Sequence, residues 1–277
     1  MCWLSPLEVA GPLGEAVSRV NEALDLLERG GTEADASRCL SDALNEIQSQ
    51  WSLLQTPEQR DDAEAFQAML AQALSAEAQA ELLSSDEVMT ALGLEPGIAT
   101  HDDESRSRLL EPLAELVCSV RANPAHGEKT PRGPDSEKAE RGRPVSEVVI
   151  PVQLLLVNLL LDRPDERLVI YGTLAPGRAN HNVIEDLSGR YRDCAVHGRI
   201  SEVDGLPYFT WAPAADGLGA LLFCSKQLPG KWDDLDRFEG AGYKRRLIPA
   251  TTDSGLTVAS VYLSTADDWW SPEGLAS

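Results

Sequence analysis

The chain has 277 residues, 43% of them hydrophobic and 25% charged, with 45 acidic against 24 basic residues and a formal charge of −21. That length suits two domains, each with a core of its own, and a field of that sign disfavours bulk electrostatic binding of nucleic acid. The five cysteines, Cys2, Cys39, Cys118, Cys194 and Cys224, are odd in number, widely spaced and without a CxxC pair, which argues against a disulfide scaffold or a structural zinc site and for a reducing cytoplasm.

The opening residues lack a basic region followed by an apolar core, so no signal peptide is expected. Residues 1–164 read as helical. Apolar positions three and four apart run through Val17, Val20, Ala23, Leu24 and Leu27, and again through Leu40, Leu44, Ile47, Trp51 and Leu54, with Gly30-Gly31 between the two sets. Helices are predicted over Ala34–Leu54, Pro57–Leu83 and Arg106–Val120, all rich in helix-favouring Ala, Leu, Glu and Gln, and over about Val148–Leu161. The last is the most apolar stretch, yet Pro151, Gln153 and Asn158 interrupt it, and it falls short of the ~18–20 residues that span a membrane. It is expected to be a buried helix, with no membrane association. A polar loop is expected at about 128–145. This half carries 13 basic and 29 acidic residues, net −16, against 11 and 16, net −5, for residues 165–277.

Just before that loop lies Val120-Arg121-Ala122-Asn123-Pro124-Ala125-His126-Gly127-Glu128-Lys129. An arginine neutralises phosphate charge and a histidine moves protons near neutral pH, so together they suit phosphate chemistry; pairs at this spacing are also commonly incidental. With Asn123 inside and Gly127 and Lys129 after it, the stretch resembles the HEPN superfamily of all-helical domains with an Arg-x4-6-His motif, over residues 105 to 162. The resemblance implies a metal-independent ribonuclease that dimerises through this half. Arg121 and His126 would be catalytic, Asn123 supporting, and RNA a partner. Two features depart from the pattern: Ala122 stands where a polar residue is usual, and Pro124 restricts the backbone of Asn123. The domain's net −16 also requires the Lys129–Arg143 segment to draw RNA locally.

After Pro164 short β-rich runs follow, bounded by Gly, Pro and Asp: Arg167–Tyr171, Ala195–Val203, Gly219–Cys224, Tyr243–Thr251 and Leu256–Leu263, with one short helix at Trp232–Phe238. The expected class is α+β overall: an all-α domain over 1–164, then a small mixed or antiparallel β-barrel domain over 165–277.

Two stretches of the second half carry chemistry. Leu168-Val169-Ile170-Tyr171-Gly172-Thr173-Leu174 is an apolar strand running into a glycine turn, followed by Ala175-Pro176-Gly177 and Asn180-His181. Main-chain N–H groups freed at such a strand end can hold a carboxylate or a developing oxyanion. About 65 residues on comes Leu235-Asp236-Arg237-Phe238-Glu239-Gly240, with Tyr243 and Arg245. Leu235 and Phe238 are expected to anchor one helix face in the core, and Gly240 to end the helix. Glu239 then sits in the last turn, where the helix dipole disfavours an anion, beside a large aromatic; both raise its pKa toward neutrality. His181 and His197 have no partner at metal-ligand spacing. Tyr208 and Trp211 are candidates for pocket walls or for core.

Together these motifs resemble the gamma-glutamylcyclotransferase-like superfamily, in the branch similar to gamma-glutamylamine cyclotransferase, over roughly residues 167 to 265. Gly198 in a strand, Gly205-Leu206-Pro207 before an extended run and Trp232 ahead of the Leu-Asp pair also fit. The resemblance implies a mixed barrel with a pocket at one end and no metal or organic cofactor. Glu239 would be the acid/base, Tyr171, Gly172, Thr173, Leu174 and Tyr243 would bind a γ-glutamyl substrate, and Arg245 would support the site. The expected reaction is cyclisation to 5-oxoproline with release of an amine. Two alternatives remain at this level: an RNA-cleaving effector whose second domain senses or modifies a small molecule, and a two-module binding protein without chemistry.

Overall fold

The computed structural model describes residues 12–51, 67–68, 70–71, 74, 76–85, 88–89, 108–114, 149–203, 206–213 and 215–265. The chain divides into two compact units, Ser18–Leu160 and Leu161–Ser277, the latter with the segment up to Val17. Helix α1 (Pro12–Glu28) and helix α2 (Glu33–Trp51) flank the expected glycine break, where Gly30 adopts φ 69°. Glycine carries no Cβ penalty in that left-handed region. Thr32 starts α2, its hydroxyl accepting the Asp35 N–H at 3.2 Å and donating to the Asp35 carboxylate at 2.6 Å, a reciprocal cap that satisfies an orphan donor. Ala36, Leu40, Ala43, Leu44 and Ile47 form the buried stripe of α2.

Residues 149–160 are helical, and the polar residue inside this apolar run has a structural reason. Gln153 is fully buried and accepts a hydrogen bond from Ser37 Oγ at 3.0 Å. Its amide donates to Ser41 Oγ at 2.9 Å and to the Ser37 carbonyl at 3.3 Å. A buried amide costs little once its partners are in place. The single helix expected over Pro57–Leu83 is instead broken. Leu74 lies in a bend, and helix α3 spans Ala76–Ser84. The Gln79 side chain donates to the Leu74 carbonyl at 2.9 Å and the Ala71 carbonyl at 3.3 Å, satisfying acceptors that a break leaves without helical partners. Of the helix expected at Arg106–Val120, residues 108–114 are described and helical. Arg121, Asn123, His126 and the loop at 128–145 lie outside the described residues.

The second unit is a barrel built from β1 (Arg167–Ile170), β2 (Arg190–Val203), β3 (Leu206–Trp211), β4 (Gly217–Cys224), β5 (Tyr243–Thr252) and β6 (Gly255–Ser264), with helix α4 (Trp232–Glu239) between β4 and β5. The sheet order is β3-β2-β4-β1-β6-β5, and β5 pairs back onto β2 at Ala195 and Thr251. Strands β2, β4, β1, β6 and β5 thus close on themselves, and β3 extends from β2. The sheet is mixed, since β1 and β6 run parallel while the other pairings are antiparallel. Among the described residues, no helix is long and apolar enough to cross a membrane.

Two strand differences are informative. β2 begins at Arg190 rather than Ala195, because Arg190-Tyr191-Arg192-Asp193 is too charged to signal a strand yet pairs with β4. β3 is the extended run after Gly205-Leu206-Pro207. Besides its contact with β5, β2 pairs with β4 up to His197 and with β3 from Gly198. At that changeover a Cβ on Gly198 would stand 2.4 Å from the Phe209 ring and 2.5 Å from the Thr210 carbonyl oxygen. Gly198→Ala is therefore expected to cost about 1–3 kcal/mol, read as a lower thermal midpoint by circular dichroism. Gly219→Ala, where nothing lies within 4 Å, should melt close to the parent.

The core that positions the helix joins Leu168, Ile170, Ile184, Phe223, Leu228, Trp232, Leu235 and Tyr262. The expected anchor pair needs correction. Leu235 is fully buried, but Phe238 is 43% exposed. The buried face of α4 is Trp232 with Leu235 instead, again three residues apart.

Candidate functional site

At the C-terminal end of β1 the chain turns through residues 171–180, and Asn180 closes the turn. Its N–H donates to the Thr173 carbonyl at 3.1 Å and its Nδ2 to Thr173 Oγ1 at 2.9 Å. The Ala175 N–H donates to the Gly172 carbonyl at 3.3 Å, and His181 Nδ1 lies 3.0 Å from the Leu174 carbonyl. With the carbonyls so engaged, the N–H groups of Gly172, Thr173 and Leu174 have no hydrogen-bond acceptor among the described residues. A Cβ on Gly172 would meet the Pro207 ring at 3.2 Å, so this close approach favours the smallest residue.

Glu239 is the last residue of α4, and Gly240, at φ 70°, ends the helix with its N–H on the Asp236 carbonyl. The turn and Glu239 border one cavity of about 190 Å³, closed by Asn180, Pro207, Phe238, Tyr243 and Tyr262. Burial pushes the Glu239 carboxyl up to about 7. Among the described residues it has no hydrogen-bond or ion-pair partner, so nothing stabilises its charged form against that desolvation.

The surrounding side chains fall into two layers. Tyr171 lines the cavity and donates its hydroxyl to the Tyr262 carbonyl at 2.8 Å; burial, with Tyr243 and Glu239 nearby, holds that hydroxyl protonated well above its usual range. Tyr243 donates to the Pro207 carbonyl at 3.1 Å and stacks on Tyr208 with centroids 5.1 Å apart. Arg245 does not turn toward Glu239. It forms two hydrogen bonds of 3.0 Å to Asp236 and lies 4.5 Å over the Trp232 ring. The Tyr262 hydroxyl donates to the same Asp236 carboxylate at 2.6 Å. Burial works against the charged form of Asp236, but hydrogen bonds from Arg245 and Tyr262 outweigh it and hold the carboxyl below its usual range.

The structure thus gathers Tyr171, Gly172, Thr173, Leu174, Tyr243 and Glu239 around one space and sets Arg245 one layer behind it. Sequence reasoning missed Tyr262 and Pro207 as walls and Asp236 as the hub of the second layer. For Asp236 a signal existed: an acid three residues before Glu239 lies on the same helix face. Tyr208 and Trp211 are not among the cavity's lining residues. His197 Nδ1 is held at 2.8 Å by the Ala215 carbonyl, and no cluster of His, Cys, Asp and Glu suited to a metal occurs among the described residues.

The raised carboxyl has a consequence for stability. Its folded pKa of about 7 exceeds the ordinary 4.5, so folding favours the protonated form. The cost of ionising Glu239 in the fold is absent below about pH 4.5 and grows as pH rises through 7. Glu239→Gln is expected to exceed the parent in stability by about 2 kcal/mol above pH 8, allowing for water that still reaches the carboxyl. The gain should vanish near pH 4.5, as followed by denaturant titrations across that range.

Residues 168–274 match the family model for Gamma-glutamyl cyclotransferase, AIG2-like. No curated protein matches the chain. Among solved structures the chain is similar to YkqA from Bacillus subtilis at 21% identity and a TM-score of 0.32, covering 36% of each chain. It is also similar to an AIG2-like protein from Mus musculus at 18% identity and a TM-score of 0.32, covering 40% of this chain and 82% of that one. The protein PH0828 from Pyrococcus horikoshii is similar at 20% identity and a TM-score of 0.29, covering 36% of this chain and 79% of that one. This chain therefore spans about a third of the Bacillus subtilis protein.

Proposed function

We propose that the barrel unit is a γ-glutamyl cyclotransferase-type enzyme acting on a small γ-glutamyl substrate, with Glu239 as its acid/base. The observation that carries this reading is the pairing, around one cavity, of a carboxyl held near pH 7 by burial with three main-chain N–H groups that lack acceptors among the described residues. A carboxylate tuned to neutrality is suited to accept and return a proton at working pH.

In this mechanism the turn donors hold the substrate so that its chain folds back on itself. Glu239 takes a proton from the α-ammonium, and the freed amine attacks the γ-carbonyl carbon. A new C–N bond forms as negative charge builds on the carbonyl oxygen, which N–H groups of the turn stabilise. The bond to the leaving amine then breaks as that nitrogen takes the proton from Glu239, and the ring nitrogen gives its surplus proton to the freed carboxylate, which passes it to the departing amine. The products are 5-oxoproline and a free amine. Nucleophile and electrophile belong to one molecule, so orienting the substrate supplies much of the rate. Tyr171 and Tyr243, whose hydroxyls are committed to main-chain carbonyls, serve as rigid walls. No step calls for a metal or an organic cofactor.

The ribonuclease expectation rests on Arg121, Asn123 and His126, which lie outside the described residues, and the matched family segment begins after them. RNA binding and a homodimer were tied to that motif and form no part of the proposal. The test is release of 5-oxoproline, measured by mass spectrometry, from a panel of γ-glutamyl dipeptides and γ-glutamylamines in the presence of EDTA. Turnover of at least one class is expected. Folded protein that releases 5-oxoproline from none of them overturns the assignment.

A further inference from the structure

Strands β5 and β6 run from the Glu239 cavity, at Tyr243 and Tyr262, to their hairpin at Thr252–Gly255. A second cavity of about 480 Å³ lies at that hairpin end of the barrel, where β1 begins at Arg167. Three cations border it: Arg167, Arg192 and Lys226. Register explains how two of them meet. Arg167 stands opposite Cys224 and Arg192 opposite Leu222 on β4, which lies between β1 and β2. Cys224 and Leu222 are two residues apart, so all four side chains share one face of the sheet. Lys226 follows from the end of β4.

The protein neutralises only part of this cluster's charge. Arg167 pairs with Asp162, while Glu166 faces Arg163 at 3.6 Å, so both acids that border the cavity are already engaged. Arg192 and Lys226 have no ion-pair partner among the described residues; Arg192 has only the Ser254 hydroxyl at 3.5 Å. In a chain of net −21, a cavity bordered by three cations and by two acids that are already engaged is a local reversal of sign.

We infer that this cavity binds a phosphate-bearing small molecule, with Arg167, Arg192 and Lys226 around the phosphate group. Guanidinium forks match phosphate oxygens in pairs, and lysine adds a point charge. The volume exceeds what a bare phosphate fills, leaving room for an organic remainder beside the Thr252–Gly255 hairpin. The inference is independent of the chemistry at Glu239, from which this site is separated by the length of β5.

The test uses inorganic phosphate as the probe, titrated into the full chain by calorimetry in low-salt buffer. The parent is expected to show saturable one-to-one binding. Arg192→Met and Lys226→Met, both at exposed positions, should each weaken it by about tenfold, and the double variant should abolish it, with thermal melts unchanged. Glu239→Gln should bind phosphate as the parent does. A parent that shows no saturable binding overturns the inference, and so does binding that survives in the double variant.

Discussion

Glu239→Gln is expected to lower 5-oxoproline release by about 10²–10⁴-fold, the range that a positioned proton acceptor contributes. Glutamine keeps the size and planarity of the side chain, so the cavity and the substrate's place in it should survive. What is lost is the ability to take the ammonium proton and return it to the leaving amine. The loss should therefore fall on kcat, with KM little changed. The same residue sets the pH dependence. With the carboxyl titrating at about 7, only about a tenth is ionised at pH 6. The parent's kcat/KM is expected to rise about tenfold between pH 6 and 8 and then to level off. A profile flat across that interval would show that some other group accepts the proton, even if Glu239→Gln were inactive for a structural reason.

How far the sequence reveals this site depends on which interactions are local. Glu239 is legible because Gly240 follows it and the α4 pattern precedes it, so helix end, cap and carboxyl fall within a few residues. The upward direction of its pKa is legible too, but the cause is not. Burial in a cavity walled by distant segments does the work, and Phe238, expected in the core, borders that cavity and stays partly exposed. Arg245 shows the limit most clearly. Six residues from Glu239, it reads as a support for that carboxyl. Its actual direction is set by pairing with Tyr262 on β6, which puts both side chains on one face and delivers both to Asp236. That register joins residues far apart in sequence, and no local pattern encodes it. The same holds for β2, whose charged first half becomes a strand only because β4 supplies its partners.

Trp232→Ala is expected to cost about 3–5 kcal/mol, the largest stability effect among the substitutions considered. The indole does three things. Its ring is buried, at 6% exposure, in the core beneath α4. Its Nε1 donates to the Asp165 carbonyl at 3.0 Å, tying the start of α4 to the turn before β1. Its face carries the Arg245 guanidinium, which in turn holds Asp236. Alanine removes all three, whereas Trp232→Phe keeps most of the packing and the ring under Arg245 and loses the N–H. The phenylalanine variant should cost about 1–1.5 kcal/mol, so the difference between the two isolates packing from the hydrogen bond. Circular dichroism is the suitable probe, because the substitution deletes a fluorophore, and Trp232→Ala should lower the midpoint by more than ~10 °C. Glu239 sits at the far end of the same eight-residue helix, so loosening this anchor should also lower turnover at temperatures where the protein remains folded. An alanine variant within about 1 kcal/mol of the parent would mean that the core does not fix α4, and the carboxyl's place in the cavity would then lose its physical support.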